Sequence, residues 1–380
     1  KPPNFLYIDA KSPFYPQIIL YVIYSLDVNA YLLSERGIIM VRGLTMKDIA
    51  ERAGVSVATV SRVLNNSKPV SEELRDKVLK VVKETGYKPN ALARSLIKQR
   101  TGTIGVIIPD LDNETFADLI KGIELILDEN DYVLVVTNTM GQVEKELEMF
   151  HLFEEKRVDG IIFSGVSLTE EHKEFFSNFE IPTVLVGQEF KELNFPSVTI
   201  DNFQAAFDMT QYLIDLGHKK IAMIRGPMYD QQAGKERVLG YKTALRENNL
   251  EIKDDYINQG DFTIESGYQA MVEIFENEDK PTAVFAASDK MAIGALNCCL
   301  DKGLKVPADI SIAGFDDMEL ATAIRPELTT IHQDQVQKGI KTAELLLEMM
   351  EKEKKEVYNI QLPYSLIKRQ STSKINSTDK

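Results

Sequence analysis

The feature that most restricts the fold of this sequence is an alternation of apolar and amphipathic segments from Thr103 to about residue 317. Buried strands joined by crossover helices form parallel α/β sheets, and the body of about 270 residues that contains them, 102–372, suits two such sheets better than one. The strand-like runs are TIGVIIP, YVLVVTN, GIIFSG, TVLVGQ, KIAMIRG, AVFAAS and SIAGFDD. The helical stretches between them cover 115–130, 142–156, 202–217, 232–248, 265–278 and 288–302.

A different pattern precedes this body: MKDIAERAGVSVATVSRVLN, residues 46–65, holds two short helical segments. Thr45 is a plausible N-cap for the first, and Ser56 for the second, which runs to about Asn65. Gly54 supplies the backbone freedom that a tight turn between them needs. Small residues where the helices touch, a glycine in the turn and Val60 beneath the second helix predict a helix-turn-helix.

The second helix separates into two faces at 100° per residue. Its core face carries Val60, Val63 and Leu64, and its opposite face carries Ala58, Arg62 and Asn65, flanked by Thr59 and Ser61. Small residues near the helix start allow it to enter a major groove, where Arg62 can donate two hydrogen bonds to guanine. Hydroxyl groups and the helix N-terminus suit phosphates.

A third helix is predicted from Ser71, with acidic residues in its first turn and Gly86 as C-cap. Leu74, Val78, Val81 and Val82 form its apolar stripe. The segment NALARSLIKQ follows, where Asn90 can cap a helix of about eight residues. Such a helix is below the ~12–15 residues that are stable alone in water, so it should form only when docked.

The net charge of −14 is unevenly divided along the chain. Residues 42–100 hold thirteen Lys and Arg against six Asp and Glu, a net charge of +7, and residues 1–41 balance at three of each. Residues 101–380 therefore carry −21. A basic module is joined to an acidic body, and polyanion binding belongs to the module.

From Thr45 to Gly105 the chain resembles the head and hinge of the LacI/purine-repressor family of bacterial transcription regulators. The motifs DIAERAGVSVATVSRVLN, GYKPNALARSLIKQRTGTIGVIIPD and VDGIIFSG carry the resemblance. It continues through PSVTIDN, LGHKKIAMIRGP, GDFTIESGY, PTAVFAASDKMAIGAL, VPADISIAGFDD and IRPELTTIHQD. It covers about residues 44–372 and leaves residues 1–43 outside.

The resemblance implies a multidomain protein with an all-α helix-turn-helix head, a hinge helix and a two-lobed, periplasmic-binding-protein-like α/β body with parallel sheets. The head would cover 44–88, the hinge 89–101 and the body 102–372, with a tail at 373–380. The N-lobe would comprise about 102–200 and 333–360, and the C-lobe about 201–332 and 361–372.

The resemblance also implies the residues that contact double-stranded operator DNA. In the head these are Thr45, Ser56, Val57, Ala58, Thr59, Ser61, Arg62 and Asn65. In the hinge they are Asn90, Ala93 and Leu96. Leu96 stands at the family's wedging leucine, which inserts between base pairs in the minor groove, and Ala93 keeps the two hinge helices of a dimer close. Leu96 as interdomain core is the alternative.

For the effector, the resemblance implies a cleft at the carboxyl ends of the strands. Arg237 matches the family's effector-holding arginine and Asp289 its hydrogen-bonding acid, although Asp289 could instead be a helix N-cap. Phe116 and Phe262 match aromatic walls, or pack in the core, and Gln188, Asp201 and Asn202 are weaker candidates. The stretch GPMYDQQAGKER is one residue longer than the purine-repressor pattern. Positions within this stretch therefore do not transfer from the purine-repressor pattern, and we prefer a sugar or sugar phosphate to a purine as the effector.

Several function classes find no support in the sequence. It contains no G-x-S-x-G, P-loop, H-E-x-x-H or G-x-G-x-x-G motif, so we expect neither an enzyme nor a metal or other cofactor. Cys298 and Cys299 are the only cysteines and are adjacent, which predicts reduced core residues in the cytoplasm. The apolar run at 18–26 is shorter than the ~20 residues of a membrane span.

We interpret residues 1–43 as a segment that does not belong to the native protein domain. The first methionine is Met40, and we take it as the native start, with the preceding residues translated from upstream sequence. An N-terminal extension that packs on the protein is the alternative.

These observations predict a homodimeric repressor whose operator affinity is switched by a small molecule between the lobes. One alternative is a global catabolite-control regulator switched by a phosphorylated carrier protein. The other is a sugar sensor that does not bind DNA. The sequence does not identify the effector, nor does it show whether the effector is an inducer or a corepressor.

Overall fold

The computed structural model describes residues 21–24, 30–34, 37–41, 44–65, 68–87, 100–190, 192–351 and 358–375. It divides the chain into two compact units, Lys1–Gln99 and Arg100–Lys380. The hinge residues Asn90, Ala93 and Leu96 lie outside the described residues, as does the side chain of Asn65. No helix in the described part of the chain is long and apolar enough to cross a bilayer.

Among the described residues, the first unit contains three antiparallel strands in the order β1, β2, β3, which lie in the segment outside the family resemblance. They are β1 (Tyr21–Tyr24), β2 (Ala30–Ser34) and β3 (Gly37–Val41).

Three helices then form the head: α1 (Met46–Ala53), α2 (Val57–Asn65) and α3 (Glu72–Thr85). Thr45 caps α1 through a capping box with Asp48. Gly54 ends α1 with φ 64°, and Ser56 Oγ accepts a hydrogen bond from the Thr59 N–H at 3.1 Å at the start of α2. The small core contains Ile49, Ala50, Val60, Val63, Val78 and Tyr87. The predicted helix-turn-helix and its third helix are therefore present.

The second unit contains two parallel sheets, which confirms the predicted α/β class. The sheet of the N-lobe has the order β14, β8, β7, β6, β4, β5. Its strands are β4 (Thr103–Ile108), β5 (Val133–Asn138), β6 (Gly160–Phe163), β7 (Thr183–Val186), β8 (Ser197–Ile200) and β14 (Ile360–Leu362). Its helices are α4 (Glu114–Glu129), α5 (Val143–Lys156), α6 (Glu170–Phe176) and α12 (Gln335–Glu351).

The sheet of the C-lobe has the order β10, β9, β11, β12, and a pair formed by β13 and β15 lies beside it. The strands are β9 (Ile221–Arg225), β10 (Ile257–Gln259), β11 (Ala283–Ala286), β12 (Ser311–Ala313), β13 (Thr330–Gln333) and β15 (Tyr364–Ile367). The α-helices are α7 (Asn202–Asp215), α8 (Arg237–Glu247), α9 (Ile264–Ile274), α10 (Asp289–Asp301) and α11 (Glu319–Ala323), with a 3-10 turn at Asp254–Tyr256.

The chain passes between the lobes three times: after β8, after β13 and after β14. Because Ile360–Leu362 pairs in parallel with β8, the third crossing falls between Leu362 and Tyr364. That is two residues later than the boundary expected from the sequence.

A π-helical turn, Gln231–Glu236, lies within the stretch GPMYDQQAGKER and precedes α8. Its i→i+5 spacing is visible in the hydrogen bond from the Lys235 N–H to the Asp230 carbonyl at 3.0 Å. A π turn takes up more residues than an α turn. Arg237 begins a regular α-helix directly after this turn.

Helices α4 and α12 pack with their backbones in contact. A Cβ placed on Gly339 would lie 2.1 Å from the Leu119 carbonyl oxygen, and one on Gly122 would lie 2.0 Å from the Val336 carbonyl oxygen. Only glycine allows this approach at both positions. The contact fixes α12 against the N-lobe beside the crossing that follows β13.

Candidate functional site

A cavity of about 420 Å³ lies between the two lobes, where the carboxyl ends of the strands and the N-termini of several helices meet. This volume is within the range of small-molecule sites. Four of the residues predicted to hold an effector line it: Phe116, Gln188, Arg237 and Phe262. Asn202, a weaker candidate, lines it as well.

Arg237 is held rigidly on the C-lobe side of the cavity. Its Nε donates to Asn202 Oδ1 at 2.9 Å and its Nη1 donates to the Ala287 carbonyl at 2.5 Å. The guanidinium carbon lies 3.5 Å from the centre of the Phe315 ring, a cation–π contact. Because Arg237 is only 6% exposed and makes these contacts, its planar guanidinium group is already oriented in the unliganded protein.

Asp316 is a cavity residue that the sequence analysis did not single out. Its Oδ1 lies 3.9 Å from Arg237 Nη2 and accepts a hydrogen bond from Gln333 Nε2 at 2.6 Å. Burial raises the pKa of Asp316, and the charge of Arg237 opposes that rise. The residue has φ 113°, a strained conformation that is typical of functional sites when a side chain is held in place.

Lys338 and Gln333, also missed, continue the same network toward the N-lobe. Lys338 Nζ donates to Gln333 Oε1 at 2.7 Å, so the Gln333 amide joins the ammonium group to Asp316. Burial lowers the pKa of Lys338 to about 8. Both side chains line the cavity.

Besides the bond from Lys338 to Gln333, further hydrogen bonds between described residues join the lobes around the cleft. Gln188 Nε2 donates to Asp230 Oδ1 at 3.1 Å, and both residues are buried. Lys290 Nζ donates to the Asp112 carbonyl at 3.3 Å, and the Glu319 N–H donates to Glu114 Oε1 at 2.9 Å. A change in the angle between the lobes must alter these contacts.

Aromatic rings form part of the cavity wall. Phe262 has φ 69°, and its ring lies against Gly226, where an added Cβ would be 2.4 Å from the ring. Phe116 lines the opposite lobe near the start of α4. At the mouth, Tyr229 and Met140 are mostly exposed, at 62% and 67%.

Asp201 and Asp289 are not among the cavity-lining residues in the described part of the chain. Asp201 is the N-cap of α7 and accepts from the Gln204 N–H at 2.8 Å. Asp289 is fully buried, accepting from Thr330 Oγ1 at 2.6 Å and from the Met318 N–H at 2.8 Å.

The side chain of Asp289 therefore supports the loop that carries Asp316. Ser288, not Asp289, is the N-cap of α10. Burial raises the pKa of Asp289 well above its ordinary value, and Asp316 adds to the rise.

In the head, the residues expected to contact DNA lie on the surface of α2 and its N-terminal turn. Ser56, Val57, Ala58 and Arg62 are exposed, and Thr59 and Ser61 are partly buried. Ser56 Oγ and Thr59 Oγ1 lie 2.9 Å apart, while Thr45 is engaged in the capping box of α1. Arg62 thus lies on the face opposite the buried Val60 and Val63.

Comparison with known proteins places this architecture in a family. A model of bacterial regulatory proteins of the lacI family matches residues 45–90, and one of a periplasmic binding protein-like domain matches residues 210–372. Catabolite control protein A of Priestia megaterium is 42% identical over 329 residues, covering 87% of this chain and 99% of that protein. The chain belongs to the lacI family of bacterial regulatory proteins.

Other members are similar over the same span. The transcriptional repressor PurR of Vibrio campbellii is 37% identical over 333 residues, covering 87% of this chain and 99% of that repressor. The crystal structure of the Lac repressor dimer bound to operator and the anti-inducer ONPF is 29% identical, with a TM-score of 0.78, and covers 87% of this chain and 100% of that one. As a lacI-family member, this chain is a ligand-switched, DNA-binding transcriptional regulator.

Proposed function

We propose that the chain acts in the cytoplasm as a homodimeric repressor, without enzymatic activity, whose affinity for a near-palindromic operator is set by a sugar or sugar phosphate held between the lobes. The observation that carries the proposal is the preorganised cleft around Arg237, joined in one chain to a basic helix-turn-helix head. The fork of Arg237, the amides of Asn202 and Gln188 and the carboxylate of Asp316 suit an array of sugar hydroxyls.

For DNA, we assign base contacts to Arg62 and the small residues beside it, Val57 and Ala58. Phosphate contacts are assigned to Thr45, Ser56, Thr59 and Ser61, with Asn65 at the helix end. The hinge residues Asn90, Ala93 and Leu96 stay predictions for the minor groove. Two-fold symmetry of the dimer imposes two-fold symmetry on the operator.

For the effector, we assign Arg237, Asn202, Gln188 and Asp316 to hydrogen bonds, with Phe116 and Phe262 as walls. Asp201 and Asp289 keep supporting roles in our proposal, because both carboxyl groups are satisfied by neighbouring groups. Ligand binding changes the hydrogen bonds that join the lobes, and this shifts the population of the DNA-binding dimer.

The test begins with selecting an operator from a random duplex library. Fluorescence anisotropy then measures the dissociation constant of that operator with and without a panel of sugars and sugar phosphates. We expect at least one compound to change operator affinity about tenfold or more, whereas a scrambled duplex stays weakly bound. The sign of the change distinguishes an inducer from a corepressor.

A second candidate is a catabolite-control regulator switched by a phosphorylated carrier protein. The 42% identity to a catabolite control protein favours it. The same anisotropy assay separates the two: a phosphorylated carrier protein changes operator affinity with no sugar present only in the second case. Sugar binding without measurable affinity for any duplex, even at low salt, would instead favour a sugar sensor that does not bind DNA.

A further inference from the structure

Lys338 is a buried cation whose position in the fold has several energetic costs. It is the fourth residue of α12 and only 4% exposed. Burial in a low-dielectric interior disfavours its charge. The start of a helix disfavours a cation as well, because of the positive end of the helix dipole. Burial is the largest cause of the lowered pKa of Lys338; the charge of Asp316 opposes it, Arg237 lowers the pKa further, and Asp334 raises it.

The contacts within the protein offset only part of this cost, chiefly through the charges of Asp316 and Asp334. An ammonium group has three N–H donors, and in the described part of the chain only one is engaged, with Gln333 Oε1. Asp316 is reached only through the Gln333 amide and also lies beside Arg237. Among the described residues, no carboxylate pairs directly with Nζ. A leucine or methionine would fill this position at lower energetic cost.

The position of Lys338 is nevertheless fixed by the fold. Gly339, the next residue, is the point where α12 meets the backbone of α4. The Thr342 hydroxyl donates to the Lys338 carbonyl at 2.7 Å, and Asp334 accepts from the Gln337 N–H at 2.8 Å at the helix start. These contacts set the position of α12, and the Lys338 side chain lines the cavity.

The acidic residues that line the described cavity all accept hydrogen bonds within the protein: Asp316 accepts from Gln333, and Asp110 accepts from the Asp112 N–H at 2.9 Å. Asp230 accepts from Gln188 and from the Ala233 N–H at 2.8 Å. Asp261 accepts from the Thr263 hydroxyl at 2.6 Å and from its N–H at 3.1 Å. Helix α4 also begins at the cavity, with Asn113 and Thr115 in its wall, and a helix N-terminus adds positive potential.

We propose that Lys338 binds an acidic group of the effector, a phosphate monoester or a carboxylate, so that the cleft selects an acidic sugar over its neutral parent. The inference rests on the proposed function, in which a small molecule in this cleft controls operator affinity. A buried charge is compensated by an opposite charge in direct contact, and a neutral hydroxyl would satisfy one donor and leave the charge unpaired. Arg237, on the C-lobe, binds the sugar itself.

The experiment uses the full chain and matched pairs of probes in isothermal titration calorimetry at pH 7. The pairs are glucose with glucose 6-phosphate, ribose with ribose 5-phosphate, and glucose with glucuronate. We expect an acidic member to bind at least about tenfold more tightly than its neutral parent. The affinity should fall as pH rises from 7 to 9, because the ammonium loses its proton.

Two variants separate Lys338 from its surroundings. Lys338→Met should lower affinity for the acidic probe at least about tenfold and affinity for the neutral parent by a much smaller factor. Lys341→Met, on the same helix and in a surface pair with Glu344, should change neither. Unliganded operator affinity serves as the folding control, since neither substitution touches the head.

Equal affinity for the acidic and neutral members, or an equal loss of both in Lys338→Met, would overturn the inference. If a neutral sugar binds and changes operator affinity, the proposed function stands while the inference fails. If no probe binds, both are contradicted. If an acidic probe binds with the expected dependence on Lys338 but leaves operator affinity unchanged, only the proposed function fails.

Discussion

Two buried cations, Arg237 and Lys338, line the same cavity from opposite lobes. Arg237 is stabilised by Asn202 and the Ala287 carbonyl, while Lys338 has a single amide partner among the described residues. A buried charge whose hydrogen-bonding groups all have partners costs little folding stability. A buried charge that lacks some of these partners lowers the stability of the unliganded protein. Their energetic roles can therefore be separated by substitution.

Lys338→Met should raise the free energy of unfolding at pH 7 by about 1–3 kcal/mol, since a pKa near 8 in the folded protein is below the unfolded value of about 10.4. Below about pH 8 the lysine is charged in both states, and its burial opposes folding. Between about pH 8 and 10 the folded state loses the proton first, so the wild type gains stability. Urea unfolding of both proteins at several pH values measures this. A difference that stays constant from pH 7 to 10 would contradict the assignment.

Arg237→Lys and Arg237→Ala should both weaken effector binding about tenfold or more while operator binding without ligand is retained. Lysine keeps the charge but loses the planar fork that contacts Asn202, Ala287 and Phe315. Calorimetry with the bound probe and anisotropy with operator provide the two readouts. Arg246→Ala, an exposed change later on the same helix, is the matched control. Unchanged ligand affinity in Arg237→Ala would remove Arg237 from the site.

At the scale of single residues, the sequence could predict some of the residues that line the cavity but not others. Asp289 and Asp316 both follow a strand of the C-lobe sheet, and residue type alone does not say which carboxyl group enters the cleft. Ser288 takes the cap of α10, which directs Asp289 toward Thr330 and Met318. Lys338 resembles a surface lysine in sequence, and only the chain crossing before α12 brings it to the cleft.

At the scale of elements, the glycine contact between α4 and α12 decides where the N-lobe wall of the cleft lies. Gly339→Ala should lower the free energy of unfolding by about 1–3 kcal/mol, because the added Cβ would meet the Leu119 carbonyl. Glu344→Ala, exposed on the same helix, should cost less than about 0.5 kcal/mol. Chemical denaturation measures both. A stabilised Gly339→Ala protein, as helix propensity alone would give, would show that the contact is looser.

The recognition surface of the head is also an element property, because α2 presents Arg62 only when Val60 and Val63 are buried. Arg62→Ala should weaken binding to the selected operator by about 1–3 kcal/mol and leave random duplex binding nearly unchanged. Competition anisotropy with the two duplexes measures the ratio. Equal losses on both would mean that Arg62 contacts phosphates.

The long elements followed from the sequence, since apolar runs and helical periodicity marked the strands from β4 to β7 and the helices around them. The short strands β13, β14 and β15 were not predicted, because three or four residues carry little pattern and their partners come from distant segments. The π turn at Gln231–Glu236 was not predicted, because the sequence pattern indicated one helical stretch over 232–248.

At the scale of the whole molecule, the division of charge indicates how two functions share one chain. The segment 42–100 carries +7 and residues 101–380 carry −21. Because phosphate binding releases counterions, affinity for duplex DNA should fall steeply as salt rises, for operator and non-operator duplexes alike. Sequence preference and ligand response are separate from this electrostatic contribution and must be measured at fixed salt.

The most direct test is therefore the dissociation constant of the full-length protein for its selected operator and for a scrambled duplex, measured at several salt concentrations with and without the cleft ligand. A preference for the operator, a steep decline with salt and a ligand-dependent change confined to the operator are the expected results. Identical affinity for both duplexes, whether ligand is present or absent, would contradict a basic head controlled by a two-lobed, ligand-binding body.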